Sequence, residues 1–208
     1  MKVSRFARVI GFGVALAVAI PVVANAMPQR VYDPTTRSFV TYQPAQPDKN
    51  KPLDPQFQAQ VVSFETAEAA GTVIVDSANK FLYFVLEDGM AIRYGVGVGR
   101  EGFGWTGTVK VGAKSEEWPS WTPPAEMIER RPELVKYAGG MPGGPDNPLG
   151  ARALYLYDGG RDTMFRIHGT NEPWSIGGNV SSGCIRMLNE HVIELARMVT
   201  VGTKVIVM

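Results

Sequence analysis

Residues 72–98 read TVIVDSANKFLYFVLEDGMAIRYGVGV. Thr72 to Asp76, Lys80 to Leu86 and Met90 to Val98 are rich in Val, Ile, Phe and Tyr, the side chains that fit a pleated, half-buried surface. Glu87-Asp88-Gly89 supplies turn chemistry between the second run and the third, so the two form a hairpin. Four more strand candidates follow at Thr108 to Val111, Ala151 to Tyr157, Thr163 to His168 and Thr203 to Val207, separated by Gly-rich or Asp-Gly turns. The expectation is a mainly β, sandwich-like domain over residues 71–208, with a barrel as the other way to close such a set. Two helices complete it. One runs near Pro124 to Val135, and one from Glu190 to Val199 with Asn189 as its N-cap.

Two stretches do not fit the β framework. Residues 116–124, with Trp118 and Trp121, and residues 139–145, Gly-Gly-Met-Pro-Gly-Gly-Pro, bracket the first helix. Together they form a long excursion of the kind that serves as a lid or binding loop, or simply covers a sheet edge. The glycines of Gly95-Val96-Gly97-Val98-Gly99 alternate within a strand and precede no helix, so they form no phosphate-binding turn.

Upstream the composition changes. Lys2, Arg5 and Arg8 precede an apolar run from Val9 to Val23 and small residues at Ala24 and Ala26, the layout of an export signal cleaved after Ala26. The run is shorter than a membrane span and is interrupted by Pro21. Residues 27–70, rich in Pro, Gln, Asp and Thr, read as a linker or partly ordered N-terminal extension, with a short ordered piece around Val31 to Tyr42. The chain has 21 basic and 20 acidic residues, and loss of the leader removes three basic ones. That balance gives no reason to expect a nucleic-acid partner.

An exported protein normally uses cysteine in pairs, and this chain has only Cys184. It lies in Ser181-Ser182-Gly183-Cys184-Ile185-Arg186, sixteen residues after His168-Gly169. A thiol attacks a carbonyl as thiolate, and with an ordinary pKa of about 8.5 it needs a base. His168 ends a strand in which Met164, Arg166 and His168 share one face. The loop between, with Asn171, Gly177, Gly178 and Asn179, can fold Cys184 back to it. Gly183 permits a tight turn that aims backbone N–H groups at an oxyanion. Arg186 either grips a substrate carboxylate or pairs with an acidic neighbour. His191, near the start of the C-terminal helix, reads as a packing or surface residue. Two histidines and one thiol without paired spacing form no zinc site.

In these motifs the chain resembles the L,D-transpeptidases of the YkuD type, from His168-Gly169 through the Ser-x-Gly-Cys-hydrophobic-Arg run, with Gly107-Thr108 and Asn147-Pro148-Leu149-Gly150 as flanking parts. The resemblance covers about Gly71 to the C-terminus. It implies a periplasmic enzyme that acts on peptidoglycan stem peptides without metal or cofactor. Cys184 would attack the L-centre carbonyl of the diamino acid at stem position 3, expel D-Ala and form a thioester. An amine from another stem peptide, or from an outer-membrane protein or lipoprotein, would resolve it. His168 would act as general base and acid, oriented by the Gly169 backbone carbonyl, with Gly183 in the oxyanion region. Ser182, Arg186, Trp174 and Trp121 are the substrate-binding candidates.

Ser182 stands where many members of that family carry a second histidine, so activation falls to His168 alone. Two alternatives accompany this reading: a thiol peptidase or amidase of the same fold that uses water, with Trp118, Trp121 and Trp174 deciding how well the lid excludes it, and a non-catalytic peptidoglycan-binding module. A papain-like hydrolase has the cysteine before the histidine, the reverse of the order here.

Overall fold

The computed structural model describes residues 29–33, 38–42, 52–100 and 104–208. The leader and its cleavage site lie outside these residues. Two units divide the chain, at residues 1–46 and 47–208. In the first, β1 (Gln29–Asp33) and β2 (Ser38–Tyr42) pair antiparallel, within the segment where the sequence suggested a short ordered piece.

The second unit is mainly β. Its strands are β3 (Gln60–Ser63), β4 (Val73–Asp76), β5 (Phe81–Val85), β6 (Met90–Gly95), β7 (Val98–Gly99), β8 (Gly107–Lys114), β9 (Ala153–Asp158), β10 (Arg161–His168), β11 (Asn179–Ser181), β12 (Ile185–Arg186) and β13 (Lys204–Val207). Among the described residues nine of them form one sheet, in the order β12-β10-β9-β8-β13-β4-β5-β6-β3. β4 lies inside the sheet, runs parallel to the central β13 and buries Val73, Ile74 and Val75, an unbroken apolar run that suits a strand covered on both faces. The β5–β6 hairpin turns through Asp88 (φ 56°) and Gly89 (φ 66°), a pair of left-handed residues that matches the twist of the two strands. β3 falls in the segment read as extension and extends the sheet by pairing with β6.

The edge strand β12 also meets the segment that follows β6. Gly97, two residues beyond β6, donates to the carbonyl of Arg186 in β12 (2.9 Å) and accepts from its N–H (2.8 Å). Inside lies one apolar cluster to which most of the strands contribute, including Val73, Leu82, Tyr94, Val111, Leu154, Ile167, Ile185, Met187 and Val205. This is the sandwich-like packing expected of two apolar sheet faces brought together.

α1 (Ala125–Arg130) is shorter than the helix expected at Pro124 to Val135. Pro132 lacks the N–H a continuing helix needs and disfavours helical geometry at Arg131, which sits at φ −138°, ψ 78°. The chain continues as a 3₁₀ turn over Pro132–Tyr137. α2 (Asn189–Met198) packs against β9 and β10 and sends Val192, Leu195 and Ala196 into the core. Lys114 Nζ donates to the carbonyls of Ala196 (3.1 Å) and Val199 (3.4 Å), placing a cation at the negative end of this helix. Asn189 is not its N-cap. Leu188 holds that position without a side-chain cap, and the Asn189 amide is used elsewhere.

Candidate active site

The site is assembled where β10 ends and β12 begins. These strands are parallel, with Ile167 opposite Ile185 and His168 opposite Arg186. Ile167 and Ile185 point into the core and are almost fully buried. By the alternation of a strand, His168, Arg186 and Cys184 project from the other face. Met164 leaves that alternation: it has φ 62° inside a register shift between Asp162 and Arg166, and is 65% exposed. The face shared by Met164, Arg166 and His168 therefore reduces to Arg166 and His168.

His168 is buried, and its Nδ1 lies 2.6 Å from the carbonyl oxygen of Gly169. A carbonyl only accepts, so Nδ1 carries the proton of the neutral ring and Nε2 keeps its lone pair. Burial pushes the ring's pKa down from 6.5 to about 3, and the Arg186 guanidinium adds to this; hydrogen bonds to the carbonyls of Gly169 and Leu149 oppose it. At neutral pH the imidazole is a neutral base.

Cys184 is partly exposed. Burial raises its thiol pKa above the usual value, against the lowering effects of the Arg166 backbone and of the Arg166 and Arg186 charges. The resting pair is thus thiol and imidazole, not thiolate and imidazolium. Proton transfer then accompanies attack, with the base in its competent form beforehand.

The turn leading to Cys184 is closed by Ser181. Its Oγ accepts from the Gly183 N–H (3.1 Å) and donates to the Cys184 carbonyl (2.6 Å). Gly183 has φ 112°, a conformation that side chains rarely adopt. Its N–H is used within the turn, so the contribution of Gly183 is this conformation and not a free oxyanion donor. Trp105 donates its indole N–H to the Gly183 carbonyl (3.1 Å) and stacks on Phe165 at 4.7 Å between ring centroids. Neither Ser181 nor Trp105 was assigned a role from sequence. A serine two residues before Gly-Cys is a local turn signal, whereas nothing local announces Trp105.

Arg186 pairs with Glu172 (2.6 Å), the second of the two roles open to it. Arg166 is held by both carboxylate oxygens of Asp162 (2.7 and 2.8 Å) and lies over the Tyr155 ring at 4.6 Å. Ser182 is exposed beside the nucleophile. Trp174 sits half-buried in a 3₁₀ turn over Pro173–Ser175, in the stretch of chain between His168 and Cys184. Trp121 belongs to the excursion over residues 116–145, where it exchanges backbone hydrogen bonds with Met141 (2.9 and 2.6 Å). This excursion is tied down by the fully buried Asn147, whose Nδ2 donates to the carbonyls of Pro119 (3.1 Å) and Pro142 (3.0 Å). His191 is buried against the Tyr94 ring, as a packing histidine. Among the described residues no three His, Cys, Asp or Glu side chains gather as a metal-binding group.

Over 139 residues the chain is 37% identical to the probable L,D-transpeptidase YbiS of Escherichia coli K12, a match covering 64% of this chain and 43% of that protein. Over 61 residues it is 52% identical to the putative L,D-transpeptidase YkuD of Bacillus subtilis 168, covering 29% of this chain and 35% of that one. The matched region spans less than half the length of these relatives. A crystal structure from Brucella melitensis, described as a probable carnitine operon oxidoreductase, is 48% identical with a TM-score of 0.52, over 75% of this chain and 96% of that one. The family model for the L,D-transpeptidase catalytic domain, YkuD, matches residues 70–207. Through that domain, which carries both His168 and Cys184, the chain belongs to the L,D-transpeptidase (YkuD) family.

Proposed function

We propose that this protein is a cysteine-dependent L,D-transpeptidase acting on peptidoglycan stem peptides outside the cytoplasmic membrane. The observation that carries the reading is the pairing of β10 with β12, which presents His168 and Cys184 on one face, with His168 Nδ1 engaged by the Gly169 carbonyl. Nε2 accepts the thiol proton as Cys184 Sγ bonds to the carbonyl carbon of the stem's third residue. The C–N bond to the terminal D-Ala breaks, and the imidazolium returns the proton to that leaving amine. The thioester is then resolved by an amine from a second stem peptide or from an outer-membrane protein. Export of the chain rests on the leader-like composition of residues 1–26.

The description of the Brucella structure concerns that protein. Here the glycines of residues 95–99 end β6 and enter β7, so they open no helix as a dinucleotide-binding turn does.

The test is intact-mass measurement of the purified protein with a disaccharide-tetrapeptide and with a carbapenem. A stable mass increase on the wild type, absent from Cys184→Ala, is expected. No increase on either probe with folded protein overturns the reading in favour of a binding module. Products formed with an added amine distinguish transfer from hydrolysis.

A further inference from the structure

Asn189 opens α2, five residues after Cys184, and its side chain serves no helix. Its Oδ1 accepts from the N–H groups of Ala151 (2.9 Å) and Thr170 (3.1 Å), and its Nδ2 donates to the Thr170 carbonyl (3.0 Å). One carboxamide thus binds two separate backbone segments, 149–151 and 169–170. The first contains Leu149 and the second Gly169.

The fit around this amide is close. A Cβ on Gly169 would lie 2.2 Å from Asn189 Oδ1, and one on Gly150 would lie 2.3 Å from it. Gly150 also has φ 62° and would meet the Thr170 nitrogen at 2.3 Å. Both glycines are therefore required by the approach of the amide. The Gly169 N–H is donated to the Arg152 carbonyl (3.0 Å), so the two segments are also joined directly.

We infer that Asn189 is a positioning residue for catalysis: by clasping segments 149–151 and 169–170 it fixes the Gly169 carbonyl that holds His168 Nδ1, and with it the direction of Nε2. The inference rests on the proposed function for its kinetic consequence, and on geometry alone for its effect on the ring. The Leu149 backbone, on the other clasped segment, acts with that of Gly169 to raise the ring's pKa against burial. Loss of the clasp therefore loosens the Gly169 carbonyl that holds Nδ1. A carboxamide supplies one acceptor and one donor group at this point. Aspartate keeps the acceptor but sets a second oxygen against the Thr170 carbonyl.

The experiment compares full-length wild type, Asn189→Ala and Asn189→Asp. Two readouts are taken: the carbapenem acylation rate of Cys184 at saturation, and the ¹⁵N NMR signature of the His168 ring with its Nδ1–H. Asn189→Ala is expected to slow acylation at saturation at least tenfold, with little change in half-saturating concentration, and to shift or broaden the Nδ1–H resonance. Asn189→Asp is expected to fall between. A thermal melt reports whether each variant is folded; should Asn189→Ala not fold, Asn189→Asp decides. Wild-type acylation rates together with an unmoved ring resonance in a folded variant overturn the inference. If the wild type itself is not acylated, the proposed function falls, and the ring resonance still decides the role of Asn189.

Discussion

Trp105 holds the Gly183 carbonyl from 78 positions away, through a 3.1 Å hydrogen bond from its indole N–H. The glycine before the nucleophile is thus anchored on one side by Ser181, within its own turn, and on the other by a distant aromatic ring that is itself stacked on Phe165. Phenylalanine at position 105 keeps the stack and loses the donor. Trp105→Phe should cost about 1 kcal/mol in urea unfolding, the net worth of one hydrogen bond. Carbapenem acylation of Cys184 should fall several-fold as the turn loosens. An acylation rate equal to wild type would show that Ser181 alone holds the turn.

Acid should destabilise the fold well before the carboxylates titrate. The His168 pKa is depressed from 6.5 to about 3 by burial, and that of His191 is shifted in the same direction for the same reason. Below pH 6.5 the unfolded chain takes up protons that the folded chain refuses. The contribution is fully present above that pH and is lost progressively from pH 6.5 toward 3. The urea midpoint measured from pH 7.5 to 4 should fall steadily. In His168→Gln the decline should be shallower, with the His191 share left. Parallel curves for the two proteins would refute a buried, neutral His168.

The thiol should behave as a thiol. Burial raises the Cys184 pKa, and the neutral His168 offers no positive charge to lower it. Iodoacetamide alkylation of Cys184 should therefore keep rising through pH 9, without a plateau between pH 6 and 7. Such a plateau would reveal a preformed thiolate–imidazolium pair.

Asn147 should matter to the order of the excursion over residues 116–145 more than to the chemistry. Alanine there removes the donor to the Pro119 and Pro142 carbonyls and the acceptor of the Leu149 N–H (2.9 Å), at a site with no solvent exposure. Unsatisfied buried groups of this kind cost about 1–3 kcal/mol each. Limited proteolysis of Asn147→Ala should cut faster within residues 116–145 than elsewhere. Unchanged cleavage would place the order of that excursion in α1 and its 3₁₀ turn.

Much of the scaffold is legible in the chain because β-branched and aromatic runs broken by Gly and Asp leave little else to form. The hairpin from β5 to β6 and the strands β8, β9, β10 and β13 fall where those runs do. What was not legible depends on partners distant in sequence. Gln60–Ser63 is too polar to read as a strand and exists because β6 offers an edge. Met164 adopts a left-handed backbone that its side chain gives no reason to expect, within a register shift that only the β9 pairing reveals. Asn189 has the composition and place of an N-cap, yet its amide satisfies two loops instead of the helix. In the site, His168, Cys184 and the Gly183 turn were readable locally. Trp105 was not, since its partner lies on another part of the chain, and the choice of Arg186 between substrate and Glu172 needed the intervening loop to be folded.

The bridge between Gly97 and β12 bears on how a peptide can enter. β12 is only two residues long, and its main chain is engaged by β10 on one flank and by Gly97 on the other. The strand beside the nucleophile thus offers no open edge, and a peptide cannot dock there by adding itself as a further strand. Access for a peptide would then be from above, over the face that carries His168, Arg186 and Cys184, and not along the sheet.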